Sequence, residues 1–214
     1  MKIIFVLLIS AFTFQSCSKE KPNLKKEEKV STQEIQNAKN GDSVTISNKE
    51  DIQKYYAEFQ EDLDKKKLDS VSFNYECDGR EGTVTYFSKD SKLKIIRNEY
   101  AEYSHYSAVE KYFVNNEKPF FIFKDEAVWH FDGGTPEKPE TKDDVTESRI
   151  YLIENKVIDC LEKKYSIRSV EKKEPDASKI PNKKFKDCKS QELLSEFEKL
   201  LKHKKNKEGS VQCL

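Results

Sequence analysis

The chain has 214 residues, and its 39 Lys plus Arg balance its 39 Asp plus Glu to a formal net charge of zero. A dedicated nucleic-acid binder needs a net basic footprint, so that class is argued against. The five cysteines and three histidines show no Cys-x-x-Cys and no mixed His/Cys metal spacing, which argues against a zinc site.

Met1-Lys2 supplies a positive charge, residues 3–9 form an unbroken apolar run, and residues 10–14 extend it weakly up to Phe14-Gln15-Ser16-Cys17. A stable membrane span takes ~20 apolar residues, so this stretch is too short to be one. It has instead the charged and apolar regions of a secretory signal. With a small residue, Ser16, directly before Cys17 at the end of the apolar run, the segment resembles the lipobox of bacterial lipoproteins. The resemblance covers residues 1–17 only. It implies that residues 1–16 are a signal peptide, that Cys17 is diacylated, and that the mature protein is held on a membrane. The Ser18 that follows, in place of Asp, favours the outer membrane within that group; periplasmic and surface-exposed faces both stay open. Residues 17–47 then read as a lipidated Cys followed by a charged, flexible tether, too poor in apolar residues to offset its ordering entropy.

A single α+β domain is expected over residues 48–208, with a tail at 209–214. Asn48 can cap a helix over 49–68, where Glu50 and Asp51 suit the first turn. Its apolar stripe is Ile52, Tyr55, Tyr56, Phe59 and Leu63. Val71, Phe73, Tyr75 and Cys77 alternate with Ser72, Asn74 and Glu76, as in a half-buried strand. Residues 86–93, 112–119 and 150–157 then line up as one repeated strand–turn–strand pattern, at offsets of 26 residues (Tyr86 to Tyr112) and 38 (Tyr112 to Ile150). Three hairpins follow from it: 82–89 with 92–102, 106–115 with 118–124, and 147–153 with 156–162. A further strand is expected at 127–132. Residues 133–144, with Gly133, Gly134, Pro136 and Pro139, read as an exposed loop. Second strands such as residues 120–123 are apolar on both faces, so part of the sheet must be covered twice. Residues 171–187, broken by Pro175 and Pro181, read as a crossing loop. Ser190 can cap a last helix over 191–205, with Leu193, Leu194, Phe197, Leu200 and Leu201 as its stripe. The expected architecture is a twisted antiparallel β-meander built from repeated hairpins, flanked by an N-terminal and a C-terminal helix.

Apart from Cys17, four cysteines are left: Cys77, Cys160, Cys188 and Cys213. An even number in an exported protein points to disulfides, with three possible pairings. Cys160–Cys188 together with Cys77–Cys213 is favoured, because the first bridge would pin the last helix to the sheet. Buried free thiols are the alternative. The lysines of 183–186 and 202–205 suit a solvated loop and a helix end, with contact to anionic lipid as the sharper reading.

Catalytic motifs are missing: there is no Gly-x-Ser-x-Gly, P-loop, His-Glu-x-x-His or dinucleotide fingerprint. His130 with Asp132 is the one candidate base and orienter. Cys160 as a nucleophile would need a histidine partner. The most polar-aromatic stretch holds Glu99, Tyr100, Glu102, Tyr103, His105 and Tyr106, residue types typical of contact surfaces, although core and sheet-edge packing also uses them. The expectation is a non-enzymatic, membrane-tethered envelope lipoprotein that binds another macromolecule, with a protein as its partner and no cofactor. The alternative is a carrier or chaperone of an apolar ligand held between sheet and helices.

Overall fold

The computed structural model describes residues 45–206. Helix α1 spans Lys49–Asp64 and helix α2 Ser190–Asn206. Between them run β1 (Asp69–Cys77), β2 (Arg80–Lys89), β3 (Lys92–Glu102), β4 (Tyr106–Asn115), β5 (Lys118–Thr135), β6 (Lys138–Ile153), β7 (Lys156–Arg168) and the two-residue β8 (Lys183–Lys184). All eight strands form one antiparallel sheet in chain order, so the fold is α+β with one helix before the sheet and one after it.

Short turns explain that order. Four hairpins close with two residues at positive φ: Asp78-Gly79, Asp90-Ser91, Asn116-Glu117 and Glu154-Asn155. Two positive-φ residues match the twist of the strands they join, and Asn, Asp and Gly reach that conformation at least cost. The register slips by one after Phe87, Phe113 and Tyr151, which leaves Lys94, Phe120 and Ile158 as extra residues on the second strands.

Neighbouring residues on one strand enter different cores. Ile96, Tyr112, Ile122 and Ile150 pack with Leu193, Phe197 and Leu200 of α2. Ile95, Phe113, Phe121 and Tyr151 pack with Ile52, Tyr55, Tyr56 and Phe59 of α1. Since alternate residues of a strand point to opposite faces, the two helices cover opposite faces. Tyr56 lies edge-on to Phe113 and Phe121 at 5.0 and 4.9 Å. On the other face the Tyr86 hydroxyl donates to the Leu200 carbonyl at 2.7 Å.

Four expectations are corrected. Helix α1 stops at Asp64 rather than Leu68: Lys66 turns left-handed, and the Lys65, Lys66 and Lys67 N–H groups fold back onto the carbonyls of Glu61, Leu63 and Asp62. The strand expected at 127–132 is continuous with β5, and the loop expected at 133–144 is the far end of a long hairpin, with Gly133 opposite Glu140 and Thr135 opposite Lys138. Gly134 sits at φ +84°, and a Cβ there would lie 2.3 Å from the Lys138 carbonyl oxygen; the glycines fit a tight pairing instead of breaking it. Ser190 is the first residue of α2, and the Lys189 carbonyl accepts the first helical bond, from the Leu193 N–H. Asn48 does cap α1, its side chain accepting from the Asp51 N–H at 2.8 Å.

A disulfide joins Cys160 of β7 to Cys188, whose Cα atoms are 6.1 Å apart. Cys77 is also disulfide-bonded; Cys213 lies outside the described residues, as do Cys17 and the signal and tether segments up to residue 44. Among the described residues, no helix is long and apolar enough to cross a membrane.

Candidate functional site

Strand alternation divides the polar-aromatic stretch Glu99–Tyr106 between the two faces. Tyr100, Glu102 and Tyr106 face α2, and Glu99 faces the α1 side beside Arg97, with which it forms an ion pair. Tyr103, in the turn between β3 and β4, is 83% exposed at φ +52°. His105 packs against Trp129 with tilted rings, centroids 4.4 Å apart.

On the α2 side, these residues join a buried polar network. Glu110 is 3% exposed and accepts from the Tyr100 hydroxyl at 3.0 Å and the Tyr112 hydroxyl at 2.6 Å. Lys124 lies 3.5 Å from Glu110 and 3.0 Å from Glu126, which also accepts from the Tyr106 hydroxyl at 2.7 Å. Burial pushes the three tyrosine hydroxyls far above their ordinary range, and the neighbouring Glu110 and Glu126 carboxylates add to the shift. Burial alone would drive the Lys124 ammonium down, but Tyr100, Glu110 and Glu126 outweigh it and hold the ammonium charged. This network opens into a partly open hollow of about 720 Å³ bordered by the segment around Cys188 and the first turns of α2. Arg80 crosses its end, 4.3 Å above the Tyr100 ring and paired with Glu102. One signal of the network was visible in the sequence: Glu110 falls between Ala108 and Tyr112 on the inward register of β4.

The α1 side is covered over only half its height. Below the apolar row under α1 comes a row holding Arg97, Lys111 and Arg149, and below that one holding Glu99, Asp125 and Glu147. Arg149 and Lys163 pair with Glu147 at 2.6 and 3.6 Å. The next row is small: Ala101, Ser107 and Ala127 stand side by side on β3, β4 and β5. Larger residues on either side turn this row into an open trough of about 730 Å³ that crosses the strands from Glu81 on β2 to Tyr165 on β7. Among the described residues, its charged lining is Glu81, Glu99, Asp125 and Asp143, with no lysine or arginine. Burial raises the Asp125 pKa and Glu147 adds to this; Lys111 and Arg149, one row back, offset part of it. Sequence periodicity had marked none of this, because Ala, Ser and Gly on a strand carry no pattern of their own.

Trp129 faces Asp143 across the β5–β6 pair, so it stands at one bank of the trough. Phe131 meets Trp129 edge-on at 5.4 Å and is 65% exposed. The candidate base His130 points to the other face. Its Nε2 lies 3.6 Å from Asp144, while Asp132 pairs with Arg168 at 3.3 Å. The expected His130–Asp132 pair is therefore not formed, because the register slips at Asp132. Cys160 is held in its disulfide. Among the described residues, no group of three or more His, Cys, Asp or Glu is placed to hold a metal ion. No family model, no curated protein and no solved structure matches the chain.

Proposed function

We propose that this protein is a non-enzymatic binding module that holds a macromolecular partner in the trough on the half-covered face of its sheet, and that a lipid on Cys17 tethers it in the cell envelope. The observation that carries the reading is the row of small side chains, Ala101, Ser107 and Ala127, with no helix above it among the described residues. A sheet face with a floor this low suits an inserted segment. The aromatic pair at its bank, part-buried Trp129 and exposed Phe131, supplies the residue types that anchor interfaces. The same turn and bulge positions in the β2–β3, β4–β5 and β6–β7 hairpins support a sheet built from one repeated unit, twisted as antiparallel sheets are. Carriage of an apolar ligand is less well supported, since carboxylates line both large hollows.

Ser107 is exposed on the floor of the trough, so Ser107→Trp fills it without touching the core. The variant is expected to lose the partner that the wild-type protein retains after cross-linking in cells. Its stability should stay within about 0.5 kcal/mol of wild type, as for other surface substitutions. Undiminished capture by a folded Ser107→Trp protein would reject the trough as the site. The anchor has its own test. Two acyl chains hold a protein firmly on a bilayer where one does not, so Cys17→Ala should shift the protein from the membrane fraction to the soluble one. Continued sedimentation with membranes and unchanged fatty-acid labelling would exclude Cys17 as the lipid site.

A further inference from the structure

We propose that the occupant of the trough is an extended peptide segment rich in lysine or arginine, lying across strands β2 to β7. The inference rests on the trough being the binding site and specifies the partner's chemistry.

Charge complementarity carries it. The trough is lined by carboxylates from β2, β3, β5 and β6, with no cationic side chain lining it among the described residues. Glu99 is answered by Arg97, but Asp125 and Asp143 form no ion pair among the described residues. These carboxylates do not converge. Glu99 and Asp125 stand on one bank, Asp143 on the other, and Glu81 at the β2 end. A point cation would meet one of them at a time, and no metal-holding group occurs among the described residues. A chain with spaced cationic side chains can meet several together.

Dimensions agree with this. Five strand spacings of ~4.8 Å separate β2 from β7, roughly 24 Å, which about seven extended residues at ~3.3 Å each would cover. Alternate side chains of such a segment point to the same side, about 6.6 Å apart. The carboxylates of β2, β3, β5 and β6 are one, two and one strand spacings apart, roughly 5 to 10 Å, a range that long lysine side chains at every second position can span. Asp125, part-buried and next to Glu147, gains most from an added cation, because a half-desolvated charge is screened less by salt than an exposed one. Trp129, opposite Asp143 on the bank, places an aromatic ring beside the path of such a segment.

Trp129 is also the chain's single tryptophan, so its fluorescence reports on the site directly. The probes are two acetylated, amidated octapeptides, one alternating Lys and Thr and the other alternating Glu and Thr. The Lys peptide is expected to change Trp129 emission saturably, with an affinity that falls as NaCl is raised. The Glu peptide should leave the emission unchanged. The double variant Asp125→Asn, Asp143→Asn keeps side-chain shape and should bind the Lys peptide about tenfold or more weakly, on the scale of close interfacial charge pairs. Equal binding of the two peptides, or an unaltered affinity in a folded double variant, would overturn the inference. If Ser107→Trp abolishes partner capture while the Lys peptide fails to bind, the trough stands as the site and its basic occupant is refuted.

Discussion

Glu110→Ala should lower stability by about 3 kcal/mol. The residue is 3% exposed and its two oxygens take the Tyr100 and Tyr112 hydroxyls while facing Lys124. Alanine leaves two buried hydroxyls without acceptors, each at ~1–3 kcal/mol. It also takes one of two carboxylates from a buried ammonium, and breaking such a pair typically costs about 3–5 kcal/mol. Lys124 keeps Glu126 at 3.0 Å, so the cost of an unpaired ammonium is not incurred and the two hydroxyls, together about 2–6 kcal/mol, set the loss. For a domain of this size each kcal/mol moves Tm by ~2–4 °C, so a fall of roughly 6–12 °C is expected in a thermal melt. Glu110→Gln retains an acceptor and should lose less. Replacing Glu110 and Lys124 together by leucine should restore part of the loss, because a buried ion pair and a well-packed apolar pair are often close in free energy. An Ala variant melting within 1–2 °C of wild type, a shift worth under about 1 kcal/mol, would show that Glu110 is not held in this network.

That network also shows where sequence reading reaches and where it stops. Both helices and every main strand were legible because each carries a burial period: the stripe from Ile52 to Phe59, the alternation from Phe73 to Tyr75, the paired aromatics at Tyr112 and Phe113. Both cores follow from this, since residues apolar on both faces of a strand demand two covers. The hairpin beyond Phe131 was not legible. Its strands are exposed and polar on both faces, so no period marks them, and Gly133, Gly134 and Pro139 read as breakers although they sit in a paired ladder. The candidate stretch from Glu99 to Tyr106 was legible as unusual but not as divided. Period-2 geometry alone sends Tyr100 and Tyr106 inward to Glu110 and Glu126, and leaves Glu99 on the trough. The trough itself depends on what stands beside what across strands far apart in the chain. Ala101 on β3 and Ala127 on β5 become neighbours of Ser107 only through the pairing register.

Removing the Cys160–Cys188 bridge by Cys160→Ala with Cys188→Ala should cost about 3.5 kcal/mol. The bridge closes a loop with a sequence separation of 28, and the chain-entropy account of cross-links gives that order for a loop of this length. The local structure explains why so little else would replace it. Within the loop, β8 is two residues long, and the Phe185 N–H reaches the Cys160 carbonyl at 3.3 Å. Prolines at 175 and 181 keep the remainder from forming a longer strand. Cys188 lies two residues before α2, so the bridge fixes where Leu193 and Phe197 meet the sheet. Without it, the segment from 171 to 189 should fray before the sheet melts, because few buried contacts hold it. Trypsin should then cleave among Lys183, Lys184 and Lys186 well below the global Tm. The trough is built from β2 to β7 on the face opposite the bridge. The segment also reaches that face, where the Ala177 carbonyl and the Asn182 side chain accept from Lys163 and Arg149. Neither Ala177 nor Asn182 lines the trough, so its ligand affinity should stay unchanged at temperatures where the sheet is intact. A double-Ala protein as stable and as protease-resistant as wild type would mean that β8 and α2 hold this edge without the covalent link. Loss of trough binding at a temperature where the sheet is intact would mean that the two faces are coupled.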